Sequence, residues 1–470
     1  MPRPGPRGAA YALALVFAIA LACDLLWMPV QVADSLGEIL DAQQSPSAWA
    51  SFTNYFGTEA YLRPLRIAQI KALFDLAQDR HYQLVFRGFH ALLAVAALLL
   101  FTRALRVSTV TDFAAAAFAL VVFIGLSTFR GTVREAFPIN HFLEILVLCL
   151  VVLNLAQSRG GLWVDLAAAV TLAAAVLTLE SGLLVWVVAV AAWAVGWRGI
   201  SMRGLAAMTA VAAGYGVLRF IYLSTGLPGL GERSAGYLLE MLDPAQLQAR
   251  FGAQPLWFYV YNVGASIASV LFGEPQDGVF VAVGNWLQGT RLLRLTLPVV
   301  TSIATTLVLC WVAARRVRRW ELDDSARFII VFAIVLLGNA ALSFAYAQDE
   351  IMSVAGGFYA LGAFGGMREL LVRGASMSRG RAILCAVLCC VLATAWSVRA
   401  AGVHYLLRSQ ANKHQMDWVS LPGAWRDSNT WPTDPARQRL VLQLHDDAVR
   451  VVLPNTRIGR PEWPDRLWPD

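Results

Sequence analysis

Long apolar runs constrain this chain more than any other feature of its sequence. Runs of this length with few charges are typical of α-helices that cross a bilayer. We therefore predict an all-α polytopic membrane protein with about eleven transmembrane helices. The segments lie at about residues 9–30, 84–102, 110–128, 138–157, 162–179, 181–197, 204–224, 295–314, 327–347, 351–371 and 382–401.

Composition supports a membrane protein. Hydrophobic residues make up 58% of the chain and charged residues 15%, which leaves too much apolar surface for a water-soluble globule. The net charge of +7 does not indicate nucleic-acid binding, because the arginines cluster at the ends of apolar runs and form no basic stripe with aromatics. All six cysteines lie in apolar runs, and their spacing with histidine predicts neither a disulfide framework nor structural zinc.

The arginines predict the orientation of the helices. A cytoplasmic N-terminus and an outer C-terminus agree best with the positive-inside rule. This orientation requires the moderately apolar stretch 257–272 to be re-entrant or interfacial. The first run is read as an uncleaved span, because Asp34 and Glu38 follow it without a small-residue cleavage site. The arginines placed inside are Arg3, Arg7, Arg103, Arg106, Arg159, Arg198, Arg203, Arg315, Arg316, Arg318, Arg319, Arg327, Arg373, Arg379 and Arg381.

Two domains are predicted. Residues 1–401 form the transmembrane domain, with long outer loops at 31–83 and 225–294, and residues 402–470 form a small extracytoplasmic tail with an α/β or irregular cap. Within the first loop, Pro64–Leu76 has the amphipathic pattern of a helix that lies along the membrane surface. Within the tail, residues 440–453 fit a small β-hairpin.

Polar residues suited to chemistry recur at the predicted outer ends of the apolar runs. Asp34 and Glu38 follow the first run, and the motif Tyr-Leu-Arg-Pro-Leu contains Arg63. The second outer hairpin, FRGTVREAFPINH, carries a second group of charges, and an acidic residue follows the fifth run. The hairpin residues are Arg130, Arg134 and Glu135, and the acidic residue is Glu180. A further candidate, His90, lies near the outer end of the second run.

In its order of motifs, the region from about Ala9 to Trp197 resembles the GT-C superfamily of polytopic glycosyltransferases. The resemblance implies a GT-C-like fold that transfers a sugar, with inversion, from a polyprenyl-phosphate donor to an envelope glycan, glycolipid or protein. It also implies a bacterial-type inner (plasma) membrane, with the active site on the periplasmic side. Two departures are Asp34-Ser35, where the family often has an acidic pair, and Leu179, where it often has lysine before the acidic residue.

The required chemistry suggests a role for each candidate. A base must take the acceptor hydroxyl's proton, and we assign this role to Asp34. Glu135 is the second catalytic candidate, and together with Asp34 it could hold a divalent cation, Mg²⁺ or Mn²⁺. Guanidinium groups match phosphate oxygens, which makes arginines the candidates for donor phosphate contact. These arginines are Arg63, Arg130 and Arg134, and the supporting residues are Glu38, His90 and Glu180.

Other interpretations remain open. A transporter or flippase of a lipid-linked or small polar substrate also has many helices, although the middles of the spans here carry little charge. A catalytically silent relative that assists envelope assembly is the third class. For single residues, Glu38 is also explained as a solvated neighbour of Asp34, and Glu180 as a cap of its hairpin. His90 is better explained by a structural hydrogen bond between helices.

Overall fold

A computed structural model of the chain describes residues 5–57, 62–78, 81–126, 128, 141–223, 245, 248–249, 252, 256–273, 286–289, 296–319, 322–345, 350–427 and 431–452. In this part of the chain all regular elements are helical, as predicted. They are α1 (Pro6–Trp27), α2 (Ala33–Gln44), α3 (Ala48–Asn54), α4 (Pro64–Ala77), α5 (Tyr82–Ala104), α6 (Val110–Gly125), α7 (His141–Ala156), α8 (Leu162–Thr178), α9 (Leu184–Ala194), α10 (Met202–Gly216), α11 (Leu256–Phe272), α12 (Leu297–Arg319), α13 (Asp324–Leu342), α14 (Ser353–Ala375), α15 (Arg379–Asp427) and α16 (Pro435–Val452).

Six described helices are long and apolar enough to cross a membrane. They are α1, α5, α10 with the π-helical turn Val217–Tyr222 that continues it, α12, α13 and the apolar part of α15. Five apolar helices are shorter, namely α6, α7, α8, α9 and α11. Each of the eleven predicted apolar segments coincides with helical structure, but the match with these eleven helices is not complete: the segment 351–371 corresponds to α14, which is not among them, and α11 was not predicted to cross. The number of spans and their orientation stay predictions. The stretch 257–272 also forms a helix, α11.

The central helix is α14, which contacts α6, α7, α11, α12, α13 and α15. All its residues from Ser353 to Met367 are buried. Glycines allow neighbouring backbones to approach this closely, since a Cβ at Gly365 would lie 2.7 Å from the Ser325 carbonyl oxygen. Because α14 carries glycines on several sides, neighbouring helices pack closely around it.

Local sequence fixes several helix starts. The Thr109 hydroxyl accepts a hydrogen bond from the Asp112 amide, and the Asp112 carboxylate accepts one from the Thr109 amide, which forms a capping box at α6. At α10 and α13 the cap is simpler, since the Ser201 hydroxyl and the Asp323 carboxylate accept hydrogen bonds from backbone amides of the first turn. These caps lie at the end of the bundle that the arginines predict to be cytoplasmic.

The longest helix is α15, with 49 residues and a length of about 73 Å at about 1.5 Å per residue. It is continuous through residue 401, so the predicted tail begins inside a helix. Its second half and α16 pack against α2, α4 and α5 in a separate hydrophobic core, the cap core, which contains Ile39, Phe74, Trp418 and Val441. The Trp418 indole N–H donates to the Val30 carbonyl oxygen at 2.6 Å. The first loop and the tail thus form one structural unit.

The predicted hairpin at residues 440–453 is wrong, because residues 435–452 form the helix α16. Leu440, Val441, Leu444 and Ala448 are buried, which is the spacing of one helix face, whereas Leu442 is 39% exposed. The apolar residues at 440, 442 and 444 fit a strand period equally well. Contact with the cap core, which the local pattern does not encode, favours the helix.

The prediction of a helix at Pro64–Leu76 is confirmed by α4, but the expected division into an apolar and a polar face is not found. The polar residues of α4 are not all turned outward, since Arg66 and Lys71 are buried while Leu76 is 66% exposed. The reason is that α4 packs between α2, α3, α5 and α8. Its buried charges consequently face other parts of the protein.

Candidate functional site

A cavity of about 250 Å³ lies where several helices end. Its polar wall comes from the segment before α4, the turn between α8 and α9, and the C-terminal part of α10. Its apolar wall comes mainly from the start of α7, from Leu179 and Leu183 in the turn between α8 and α9, and from the end of α13. The polar side includes Arg63, Glu180, Tyr215 and Arg219, and the apolar side includes Phe142 and Leu342.

Glu180 lies between two arginines. The Arg63 Nε donates to both Glu180 carboxylate oxygens, at 3.1 Å and 3.0 Å, and the Arg63 Nη2 donates to Oε2 at 2.7 Å. The Arg219 Nη1 lies 3.5 Å from Glu180 Oε1 and donates to the Tyr215 hydroxyl at 3.1 Å. Burial alone would raise the pKa of the Glu180 carboxyl, but the charges of Arg63 and Arg219 and the hydrogen bonds lower that pKa below its usual value.

Local backbone geometry positions these side chains. Gly182 makes the turn between α8 and α9 so tight that a Cβ there would lie 2.3 Å from the Ala175 carbonyl carbon and oxygen. This turn brings Glu180 beside α10. Arg219 lies in the π-helical turn Val217–Tyr222, a wider helical form that is frequent at functional sites.

A second polar group lies beside the cavity, where α2, α4 and α7 meet. The Arg66 Nη2 donates to the Glu38 carboxylate, and the Gln69 Nε2 donates to Glu144 Oε1 at 2.7 Å. Burial lowers the pKa of the Arg66 guanidinium, and the adjacent Glu38 carboxylate acts against that change. His141 Nδ1 lies 3.6 Å from Glu144 Oε2.

Within this group, the side chains of His141, Glu144 and Gln69 have polar atoms with no hydrogen-bond partner in the described part of the chain: both ring nitrogens of His141, Oε2 of Glu144 and Oε1 of Gln69. His141 is 2% exposed and Glu144 is 8% exposed. A buried polar atom without a partner costs about 1–3 kcal/mol. These donors and acceptors are therefore suited to a ligand that carries several hydroxyl groups.

The structure brings together two of the predicted site residues, Arg63 and Glu180, and places Glu38 nearby on α2. Asp34 lies in the first turn of α2, but its side chain is outside the described residues. Arg130, Arg134 and Glu135 also lie outside them.

His90 is separated from the cavity and has a structural environment. It is buried in α5, and its Nδ1 lies 3.2 Å from Arg87 Nη1. The Arg87 Nε donates to the Met28 carbonyl oxygen at 2.8 Å, and the Gln83 side-chain oxygen accepts from the Val30 amide at 2.7 Å. These bonds fix the backbone that leads into α2. Arg87 and Gln83 thus support the segment that leads to Asp34, and His90 contacts Arg87.

Sequence reasoning missed Arg219, Tyr215, His141 and Glu144. All four lie within predicted apolar spans, which are defined by length and hydrophobicity alone. Their position could have identified them. A polar or ionisable residue within an apolar helix is unfavourable in free energy unless it has a partner or lines a polar cavity. Arg219 follows Tyr215 by four residues, and Glu144 follows His141 by three, so each pair lies on one helix face.

The described residues do not assemble a cation site. They contain no group of three or more His, Cys, Asp or Glu side chains that could hold a metal. The carboxylates of Glu38 and Glu180 already contact guanidinium groups. The Mg²⁺ or Mn²⁺ site at Asp34 and Glu135 falls on side chains outside the described set and stays a prediction.

No known protein family, curated protein or solved structure matches this chain.

Proposed function

We propose that this protein is a GT-C-like glycosyltransferase that moves a sugar from a polyprenyl-phosphate donor to a cell-envelope acceptor. The supporting observation is the position of Glu180 between Arg63 and Arg219 at the edge of a largely apolar cavity. Two guanidinium groups and one carboxylate carry a net charge of about +1, which matches the single negative charge of a phosphodiester. Phe142 and Leu342 give the apolar wall that a lipid carrier requires.

The reaction is one displacement at the anomeric carbon. The Asp34 carboxylate takes the proton of the acceptor hydroxyl while the oxygen of that hydroxyl attacks the anomeric carbon. The bond between the anomeric carbon and the phosphate oxygen breaks, and polyprenyl phosphate leaves with the bonding electrons and a second negative charge. Arg63 and Arg219 stabilise this additional charge more than the charge of the donor, and this difference lowers the barrier.

The second polar group has the chemistry to bind the sugar. His141, Glu144 and Gln69 present unpartnered nitrogen and oxygen atoms beside the arginines. A sugar ring offers alternating hydroxyl donors and acceptors, and sites built to hydrogen-bond a hydroxyl group discriminate strongly against analogues that lack it. We assign the recognition of the donor sugar to these three residues.

We also infer that the protein has about eleven spans, an inner N-terminus and an outer cavity in a bacterial-type inner membrane. This orientation is supported by the lining residues of the cavity, which are all predicted to lie on the same side of the membrane. Arg63, Glu180, Arg219 and Ile351 come from separate segments, and each lies at a helix end that the positive-inside rule places outside.

The test is sugar transfer by the purified full-length protein in detergent. Radiolabelled undecaprenyl-phosphate sugars are supplied as donors, with extracted envelope glycans and glycolipids as acceptors. Asp34→Asn should abolish transfer while donor binding persists, and Arg219→Gln should raise the KM for the donor about tenfold, the equivalent of one charge-assisted contact. Arg203→Gln, an exposed arginine outside the cavity, is the matched control.

The alternative classes give different results. Undiminished transfer by Asp34→Asn would remove Asp34 from the mechanism. If the wild type binds the donor without transfer but moves it across vesicle membranes, the protein is a flippase. If Asp34→Asn restores the surface polysaccharide of a deletion strain, an assembly role replaces the enzymatic one.

A further inference from the structure

A second cavity lies at the opposite end of the bundle and has a different charge pattern. It measures about 380 Å³ and lies between the start of α1, the connection from α5 to α6 and the end of α7. Three arginines line it, Arg7, Arg103 and Arg106, together with Gln157 and Ser158. No acidic residue is among the described residues that line it, so the cavity is strongly basic.

A neighbouring cavity at the same end provides a comparison. It measures about 430 Å³ and its arginines are paired with acids, since the Arg316 Nη2 lies 2.6 Å from Asp323 Oδ2 and 2.7 Å from Glu369 Oε2. Arg368 in turn donates to Asp112 at 2.7 Å, which links this cavity to the first turn of α6. The protein therefore neutralises one group of arginines at this end with its own carboxylates.

The arginines of the first cavity are not neutralised in this way. Arg7, Arg103 and Arg106 form no ion pair with a carboxylate of the described chain. Three exposed guanidinium groups around one cavity concentrate positive charge there, and this charge attracts anions. Their arrangement consequently favours an anionic ligand.

Two features of the cavity wall support a ligand site. Arg106 is the left-handed residue that ends α5, with φ +52°. Its Nη2 donates to the Gln157 carbonyl oxygen, which fixes the guanidinium at the cavity. The Gln157 side-chain nitrogen is buried and has no hydrogen-bond partner in the described chain, so it can donate to a ligand oxygen.

We propose that this cavity binds the phosphate headgroup of an anionic phospholipid. The cavity opens at the ends of apolar helices, and Val110, two residues beyond the lining residue Ser108, is 74% exposed and offers an apolar surface for an acyl chain. Basic pockets between membrane helices at the cytoplasmic side bind anionic headgroups. The site is separate from the proposed sugar-transfer site and needs no transfer activity.

The experiment uses the full-length protein in detergent and follows its thermal unfolding by tryptophan fluorescence. It is titrated with dioctanoyl phosphatidylglycerol, dioctanoyl phosphatidylcholine and inorganic phosphate. Only the anionic lipid should raise the unfolding temperature. Arg103→Gln/Arg106→Gln should weaken its apparent affinity at least about tenfold, the effect of losing charge-assisted contacts.

The matched control is Arg203→Gln/Arg381→Gln, which removes two exposed arginines from the same end of the bundle but outside the cavity. Its affinity should stay within about twofold of the wild type. If the first double variant does not fold, Arg7→Gln and Arg103→Gln are measured singly, each with an expected loss of about threefold. Equal stabilisation by both lipids, equal stabilisation by inorganic phosphate, or an equal loss in the control would overturn the proposal.

Discussion

The pair of Arg63 and Glu180 allows a quantitative test of the candidate site. Three hydrogen-bond distances of 2.7–3.1 Å join the two side chains, which are 22% and 24% exposed. A hydrogen bond to a charged group contributes about 1.5–3 kcal/mol, and partial exposure reduces the cost of breaking the pair below the value for full burial. We expect Arg63→Gln to lower the free energy of unfolding by about 2 kcal/mol.

Glu180→Gln should lower the free energy of unfolding further, by about 3 kcal/mol, because Arg219 also loses its contact with the carboxylate. The double variant should lose about 3 kcal/mol as well, since the shared interaction is removed only once. The coupling energy is therefore about 2 kcal/mol. Unfolding by sodium dodecyl sulfate in mixed micelles, followed by tryptophan fluorescence, measures all four proteins.

The same pair predicts a pH dependence. The Glu180 carboxyl has a lowered pKa in the folded state, so the stability that it contributes is complete above its unfolded pKa and is lost as the pH falls through the folded pKa. The difference in free energy of unfolding between wild type and Glu180→Gln should be constant from about pH 7 to about pH 5. This difference should become smaller below about pH 4.5, the usual pKa of glutamate.

The control cycle combines Arg63→Gln with Glu369→Gln, a carboxylate at the other end of the bundle, and should give a coupling below about 0.5 kcal/mol. A coupling that small for Arg63 and Glu180 would refute the pairing. A difference that already narrows between about pH 7 and pH 6 would refute the lowered pKa.

Three further predictions address the surrounding structure. Gly182→Ala should lower the unfolding free energy by about 1–3 kcal/mol and raise the donor KM, because its Cβ would meet backbone 2.3 Å away, whereas Gly214→Ala, with open space around it, should leave both unchanged. Val441→Asp should destabilise the cap core by about 3 kcal/mol in detergent unfolding and Leu442→Asp by less than about 1 kcal/mol, and equal effects would contradict the helix α16. Asn339→Ala should lower the free energy of unfolding by about 2–3 kcal/mol, because the buried Asn339 side chain accepts a hydrogen bond from the Ala355 amide and donates one to the Ile351 carbonyl oxygen. A decrease below about 0.5 kcal/mol would show that these hydrogen bonds contribute little.

Much of the helical structure was predictable because helix formation depends on neighbours in the sequence. Apolar length marked α1, α5 to α10, α12 to α14 and the start of α15, and the Pro64–Leu76 pattern marked α4. The pattern at residues 440–453 satisfied two periods at once, so only contact with the cap core decided for α16. Length alone also left open how many of the helices cross the membrane.

The sequence by itself determined an apolar, helical chain whose arginines separate its two ends, and it identified Arg63 and Glu180 as polar residues at one of those ends. Only the tertiary structure decided that these two residues, 117 positions apart, form an ion pair, and that Arg219 completes their surroundings. It also decided which arginines at the opposite end find a carboxylate and which do not. The physical reason is that burial and charge pairing depend on contacts between distant segments, whereas periodicity reports only the residues of a single helix.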